Sequence, residues 1–178
     1  MMLDNFKEDV VCRRNQLLPN ILYMICWVFV VMLALYASLM LQVVFMQFSI
    51  MAVLLLAASA ALAVLLFFKK DDFKVEYEYT FTNGSLDFAK VLRGARRKEL
   101  GSIDVANLSA CGHVAHQSFH KFLAQKDIEK KNWFLNRDGN LFYLYGVKNN
   151  TKRMIIIEPS EEMVSMICKY VAVGVYQG

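Results

Sequence analysis

All three histidines of the chain lie within one short stretch, close to a cysteine. The four residues are Cys111, His113, His116 and His120. Thiolate and imidazole are ligands that Zn²⁺ prefers, and His116 and His120 would share a helix face if the stretch is helical. A structural zinc site usually has a tighter spacing, so a polar loop rich in histidine is the simpler interpretation. The stretch is a candidate metal site, but no cofactor is expected.

A second candidate is the densest basic cluster, which comprises Arg93, Arg96, Arg97 and Lys98. Two interpretations are open. Basic residues near a bilayer gain about 1 kcal/mol each from anionic lipid headgroups, so the cluster could contact lipid. Alternatively, it is an ordinary solvated turn.

The sequence contains no recognised motif of catalysis or of nucleic-acid binding. The sequence shows no Ser-His-Asp arrangement, phosphate loop or HExxH motif, and an enzyme is not expected. The aromatic residues of the C-terminal part alternate along strand-like segments, which is typical of a β core rather than a base-stacking surface. The net charge of +4 is modest, so nucleic-acid binding is not expected either.

Two kinds of secondary structure must position these candidate residues. The first is the apolar helix. No charged residue or histidine occurs between residues 16 and 68. Within that region Ile21–Met40 and Ser49–Phe68 are each long enough to cross a bilayer core of about 30 Å as a helix. The connection between them is short, which predicts a transmembrane hairpin over residues 21–68. A cleaved signal peptide usually has a shorter apolar run, and two buried helices of a soluble protein would need a larger surrounding core.

The basic residues near the spans predict their orientation. Lys7, Arg13 and Arg14 precede the first span, the cluster Lys69–Lys74 follows the second, and the connection carries no Lys or Arg. By the positive-inside rule we expect a double-pass protein of the plasma membrane with both termini in the cytoplasm. Neither span contains a charged residue or a histidine of the kind that marks a transport path, so transport is not expected. The alanine-rich stretch 57–63 is a candidate helix-packing face, within the chain or between copies.

The second kind of element is the β-strand. Apolar and polar residues alternate from Phe73 to Thr82, and Asn83-Gly84 then favours a tight type I′ hairpin. Six further strands are predicted, at residues 85–92, 99–103, 107–113, 132–136, 141–147 and 152–157. The last contains Met-Ile-Ile-Ile, which suggests burial on both faces. Ser160 is a good N-cap for a terminal amphipathic helix of about twelve residues, and the tail after it is expected to fray or to pack loosely.

Three segments carry a resemblance to a known group: YEYTFTNGSLDFAKV (residues 77–91), RRKEL (96–100) and IIIEPSEEMVSMICKY (155–170). With them, the chain resembles uncharacterised bacterial two-span membrane proteins with a C-terminal pleckstrin-homology-like (PH-like) domain. The resemblance implies an α+β fold, in which an N-terminal transmembrane hairpin precedes a mainly-β barrel of about seven strands with a C-terminal helix. In phosphoinositide-binding relatives the first hairpin loop carries the basic residues. Here that loop is expected to be Asn83-Gly84, which cannot supply them.

The sequence therefore divides into a cytoplasmic segment (residues 1–20), the hairpin (21–68) and a cytoplasmic PH-like domain (69–178). Our first hypothesis is a non-catalytic binding or scaffolding module that is anchored in the bilayer and captures a protein partner. The alternatives are an anionic-lipid or metal-sensing domain, and a structural membrane protein that self-associates through its second helix.

Overall fold

The computed structural model describes residues 5–94, 96–148 and 151–177. The chain divides into two compact units. One is a helical hairpin formed by residues 15–75, and the other is a β-rich unit formed by the residues up to 14 together with those from 76 onward.

The hairpin consists of α1 (Leu17–Met46) and α2 (Ile50–Lys69), followed by one 3-10 turn (Lys70–Phe73). Both helices are long and apolar enough to cross a membrane. Helix α1 extends beyond the predicted span of 21–40, whereas α2 agrees with the predicted span of 49–68 to within one residue at each end. Helix α1 begins earlier because Pro19 lies in its first turn, where a proline costs no intrahelical hydrogen bond. It also continues through most of the predicted connection, so that only residues 47–49 separate the two helices.

The two helices pack through small residues of α2. Ala52 and Ser59, seven positions apart on one face, are both buried. The Ser59 hydroxyl donates a hydrogen bond to the carbonyl of Leu56 at 3.0 Å, so this buried polar group has its partner within the helix. Most of the alanine-rich stretch 57–63 stays exposed. The packing face is therefore used within the hairpin, and self-association through its exposed part stays a prediction.

Among the residues that the structure describes, eight strands and two α-helices form the β-rich unit. The strands are β1 (Phe6–Val11), β2 (Val75–Thr82), β3 (Ser85–Leu92), β4 (Arg96–Asp104), β5 (Leu108–His113), β6 (Ile128–Trp133), β7 (Phe142–Lys148) and β8 (Thr151–Ile157), and the helices are α3 (Gln117–Leu123) and α4 (Glu161–Tyr170). They build two four-stranded sheets, in the orders β1-β2-β3-β4 and β5-β7-β8-β6.

The first sheet contains the hairpin turn that the sequence predicts. Asn83 and Gly84 both have positive φ, 48° and 96°, which is the requirement of a type I′ turn. The 3-10 turn at Val105–Asn107 then leads from β4 into the second sheet. Here the local pattern and the observed structure agree, because the turn depends on two adjacent residues alone.

The number of strands needs a correction from seven to eight. Residues 1–20 carry no strand in the sequence-based prediction, yet Phe6–Val11 pairs antiparallel with β2, placing Val11 opposite Tyr77. Its residues alternate only weakly, and Phe6 and Val10 are about half exposed. The strand is specified by its partner in the chain after the hairpin, which a local pattern cannot reveal.

The second sheet is covered on both faces, as the Met-Ile-Ile-Ile run predicts. Ile155 and Ile157 face the core between the sheets, while Met154 and Ile156 face a smaller cluster with Phe119 of α3. The alternation of a strand thus places consecutive residues of β8 in two different cores.

Two predicted strands have different bounds in the structure. The strand expected at 132–136 is β6, Ile128–Trp133, which pairs parallel with β8. The strand expected at 99–103 is the longer β4, Arg96–Asp104, which pairs with β3. Both differences concern charged residues, which local propensity does not favour in strands but which pairing with a neighbouring strand accommodates.

Helix α4 closes the core between the sheets. Ser160 is its N-cap, as predicted, and its hydroxyl accepts from the Met163 N–H at 3.2 Å. Met163 and Ile167 are fully buried. The helix has ten residues rather than twelve, and the tail does not fray: the Cys111 N–H donates to the Val175 carbonyl and the Gln177 N–H donates to the Cys111 carbonyl.

Candidate functional site

One concave feature of the described β-rich unit is a cavity of about 500 Å³ between β4 and the second sheet. Its floor is apolar and includes Trp133, Leu144 and Ile155, all of them buried. The volume lies in the range of small-ligand pockets, roughly 300–1,000 Å³. The cavity reaches the barrel core and is bordered by backbone of β4.

Two glycines help to create this space. Gly146 lies two residues after Leu144, on the same core-facing side of β7, where a larger side chain would fill the cavity. A β-carbon at this position would make only ordinary contacts, at 3.8 Å from Asn107 and Leu108. Gly101 of β4 has a φ of +140°, and a β-carbon built on it would meet nothing within 4 Å. The register of β3 and β4 shifts at this point, so that Leu100 is an extra residue that forms a β-bulge.

Charged residues occupy the mouth of the cavity. The Glu129 carboxylate is 3.2 Å from Lys131 Nζ and 2.6 Å from Arg153 Nε. The hydrogen bond from Lys131 first, and then that from Arg153, hold the pKa of Glu129 below its ordinary value. Lys131 and Arg153 both line the cavity and share this carboxylate, which stays ionised at neutral pH.

The predicted basic cluster spans a turn and the start of β4. Arg93 and the following Gly94 have φ values of 54° and 65°, so they form a tight turn, whereas Arg96, Arg97 and Lys98 belong to the strand. Arg97 Nε is 3.1 Å from the Glu78 carboxylate. In the antiparallel sheet this turn lies at the same end as Val11 and Glu76, where the chain leaves for the helical hairpin and returns from it.

The structure separates the Cys and His residues that the sequence groups. Cys111 is buried in the core between the sheets, and burial raises the pKa of its thiol to about 12, with a smaller contribution from Cys168. His113 packs edge-on against Phe142 at 5.4 Å. His116 is the N-cap of α3, with its Nδ1 2.8 Å from the Ser118 hydroxyl, and His120 packs against Phe119.

Alternation along β5 and the start of α3 explain this separation, because α3 covers the opposite face of the second sheet. Within residues 5–94, 96–148 and 151–177, no group of three or more His, Cys, Asp or Glu residues is placed to hold a metal ion. A protonated, buried thiol is also a poor ligand and a poor nucleophile. The geometry therefore does not favour metal chemistry at this stretch.

A buried polar cluster, which the sequence does not reveal, connects the segment that precedes the hairpin with the second sheet. Asn136 accepts from the Arg14 N–H at 2.9 Å and donates to the Cys12 carbonyl at 3.0 Å and to Glu158 at 2.9 Å. Nearby, the Tyr79 hydroxyl donates to the Trp133 carbonyl and accepts from the Glu158 N–H. Burial raises the Tyr79 pKa, so it remains a donor across the neutral pH range. These hydrogen bonds hold distant parts of the chain together.

A comparison with known families gives a match over nearly the whole chain. The family described as "Bacterial PH-like domain (DUF6106)" matches residues 3–177. The chain belongs to this family. No curated protein and no solved structure matches it. The resemblance inferred from the sequence is thereby confirmed, and so is the fold: two apolar helices, two sheets with a PH-like arrangement and a C-terminal helix.

The strand order of the PH-like domain shows which connection is its first loop. The first two strands of its sheet are β1 and β2, so their connection is not Asn83-Gly84 but the whole helical hairpin. The expectation that Asn83-Gly84 is the first hairpin loop is therefore wrong, because the sequence pattern does not predict β1. The first connection of this sheet contains the two apolar helices.

Proposed function

We propose that this protein is a non-catalytic binding module that is anchored in the plasma membrane and captures a protein partner with its PH-like domain at the cytoplasmic face. The family and the two apolar helices make it a membrane-associated module with a PH-like domain. The capture of a partner and the cytoplasmic side are the proposed part.

The observation that carries the proposal is the insertion of the hairpin between β1 and β2. These strands are hydrogen-bonded to each other along Phe6–Val11, yet they flank the two apolar helices in the chain. A sheet that contains both can form only if both flanks of the hairpin are on the same side of the bilayer. The basic residues Arg13, Arg14, Lys69 and Lys70 flank the hairpin, which favours the cytoplasmic side.

The domain also has features of a binding module. It offers a cavity of about 500 Å³ beside strand edges, and the buried thiol and the dispersed histidines supply no nucleophile or base in that cavity. Anchoring at both ends of the hairpin restricts the domain to the membrane surface, which raises its effective concentration for partners on the same membrane.

Proximity labelling in cells tests the proposal. A labelling enzyme fused after Gly178 should mark a defined set of proteins that a matched control, the hairpin alone with the same enzyme, does not mark. We expect the labelled set to be lost when the PH-like domain is removed. Recovery of the protein itself and nothing else that depends on the domain would contradict partner capture.

A second candidate function is contact with anionic lipid through the basic cluster. Its support is the position of the Arg93–Gly94 turn at the end of the sheet from which the hairpin leaves. A tether of a few residues keeps this end near the bilayer, where each basic residue gains about 1 kcal/mol from anionic lipid. The cluster and the tether are thus properties of the same sheet end.

The experiment needs the full chain, because a fragment that starts at Lys69 lacks β1. We expect hydrogen exchange in residues 92–99 to be slower in nanodiscs with anionic lipid than in zwitterionic ones, and the difference to disappear at high salt and in a variant with Arg93→Asn, Arg96→Ala and Arg97→Ala. Asparagine is chosen at position 93 because it tolerates the positive φ of that residue. Equal exchange in both lipids would rule this function out.

A further inference from the structure

The four edge strands of the two sheets differ in whether another part of the chain covers them. The edge of β5 is covered by the C-terminal tail, which forms a parallel bridge from Tyr176 to Cys111. The edge strand β1 is held against the start of α4 through the ion pair of Lys7 with Glu162 and the Ser160 N–H, which donates to Asp9 at 2.7 Å. Strands β4 and β6 are the other two edges.

Both of these remaining edges border the cavity. Residues 100–104 of β4 line one side, and Lys131 and Trp133 of β6 line the other. Among the described residues, each of these strands has a neighbouring strand on one side only. An edge strand presents unpaired N–H and C=O groups that can pair with another extended chain.

The two halves of β4 differ in their chemistry. The first half, Arg96–Glu99, is fully charged, and the bulge at Leu100 interrupts the ladder after it; charge and bulges both discourage strand addition. The second half, Leu100–Ile103, is uncharged and lies directly at the cavity. Addition of a strand is therefore directed to the half that has a pocket beside it.

The cavity fits the side chains of an extended segment. Every second side chain of a strand points to the same side, about 7 Å apart. A volume of about 500 Å³ accommodates two or three apolar side chains, and the apolar floor of Trp133, Leu144 and Ile155 suits them. The absence of side chains at Gly101 and Gly146 keeps this space open.

Charge indicates what flanks those apolar side chains. Strands β4 and β6 together carry five basic residues (Arg96, Arg97, Lys98, Lys130 and Lys131) and three acidic ones (Glu99, Asp104 and Glu129), a net charge of +2. Three of the basic residues are consecutive at the start of β4. A segment paired with residues 100–104 would pass them with one of its ends.

We propose that the seam between β4 and β6 binds an extended peptide segment of a partner protein, with alternating apolar side chains in the cavity and acidic residues at the end next to Arg96–Lys98. This rests on the proposed function and names the surface and the chemistry of the captured partner. The backbone of β4 provides affinity, the cavity selects apolar side chains, and the basic start of the strand selects acidic flanks.

Two synthetic peptides probe the full chain in zwitterionic nanodiscs. Both have a core of alternating Val and Thr, and a run of Glu lies at the N-terminus of one and at the C-terminus of the other, because parallel and antiparallel addition would place acidic residues at opposite ends. We expect one of them to bind saturably and to slow hydrogen exchange in residues 100–104. The same peptide with Lys in place of Glu should not bind.

Variants locate the binding surface. Gly146→Leu, which fills the cavity, should weaken binding at least about tenfold, whereas Gly146→Ala should have little effect. Lys98→Glu should weaken binding of the Glu-tailed peptide, and Lys169→Glu, the same charge change on an exposed residue of α4, should not. If Gly146→Leu lowers the melting temperature markedly, the exposed Lys98 pair decides the question.

The proposal would be overturned if neither Glu-tailed peptide changed hydrogen exchange in residues 100–104. Binding of the Lys-tailed peptide as tightly as the Glu-tailed one would also overturn it. So would binding of the Glu-tailed peptide by both Gly146→Leu and Lys98→Glu as tightly as by wild type. Slowed exchange with anionic lipid alone would assign the edge to lipid instead. Proximity labelling separates this inference from the proposed function. A partner that is recovered equally by wild type and by Gly146→Leu supports membrane-anchored capture but places it on another surface.

Discussion

At the scale of single residues, Asn136 connects parts of the chain that are far apart in sequence. Its amide group pairs with the backbone of Cys12 and Arg14, more than a hundred positions earlier, and with the Glu158 carboxylate. The side chain is 7% exposed, so water cannot readily replace these partners. It fixes the last residues before the helical hairpin to the PH-like domain.

We expect Asn136→Ala to lower the free energy of unfolding by about 1–3 kcal/mol, because the buried partners lose their hydrogen bonds without compensation. The measurement is thermal unfolding of the full chain in detergent. Asn140→Ala is the matched control, since Asn140 is exposed in the adjacent turn and its loss should change stability by no more than about 0.5 kcal/mol. An equal effect of both variants would show that the polar cluster is not important for stability.

The raised pKa of Cys111 predicts that the folded protein becomes less stable at alkaline pH. Its pKa is raised from 9.0 to about 12 by burial in the folded protein. The raised pKa stabilises the fold fully below about pH 9, and this stabilisation is lost as pH rises from 9 towards 12, because the unfolded chain releases the proton first. We expect the melting temperature to fall over that window.

The variant Cys111→Val removes this contribution while it keeps the site apolar. Its melting temperature should fall less steeply above pH 9 than that of wild type, although Tyr79, whose pKa is also raised, should still cause a decline above about pH 10. Melting curves at pH 7 and in steps above pH 9 measure the difference. Parallel curves for the two proteins would exclude Cys111 as the cause.

At the scale of elements, the main finding is that a helical hairpin interrupts a β-hairpin. Val11, at the end of β1, lies opposite Tyr77 of β2, so the two flanks of the inserted helices are neighbours in the sheet. Antiparallel neighbours can be connected by a turn of two residues. The PH-like domain therefore does not need the helices in order to close its first sheet.

We expect a chain in which Val11 is joined through Asn-Gly to Tyr77 to fold as a soluble domain. Circular dichroism should show a cooperative thermal transition, and size-exclusion chromatography should show a monomer. The matched control starts at Glu76 and lacks β1, so it exposes the edge of β2 and should be less stable or aggregate. If the control were as stable and monomeric as the joined chain, β1 would not be part of the folding unit.

At the scale of the whole molecule, the sorting of charge and the pairing of β1 with β2 point to the same topology. The uncharged region from residue 16 to residue 68 has basic residues on both sides, and the sheet requires both sides to meet. We expect a fluorescent protein fused after Gly178 to be fluorescent in bacteria. Alkaline phosphatase, which is active only outside the cytoplasm, should be active when inserted at residues 47–49 and inactive after Gly178. The reverse pattern would contradict the cytoplasmic placement.

Much of the fold could be predicted because it depends on neighbouring residues. The alternation before Asn83-Gly84, the N-cap at Ser160 and the long apolar runs each express a local preference, and all of them occur in the structure. The candidate site could not be predicted in this way. The cavity is lined by Gly101 of the first sheet and Gly146 of the second, and nothing around either glycine in the sequence indicates that they border the same space.

By itself, the sequence determined the two apolar helices, their flanking charges, most strands and the family, because hydrophobicity and periodicity act over a few residues. Only the tertiary structure decided that Phe6–Val11 is the first strand of the PH-like domain, since that strand depends on hydrogen bonds to residues beyond the hairpin. It also separated Cys111 from His116 and His120, because Cys111 faces the core between the sheets, whereas α3, which carries these histidines, packs with Phe119 against the opposite face of the second sheet. Long-range pairing is what composition and spacing do not contain.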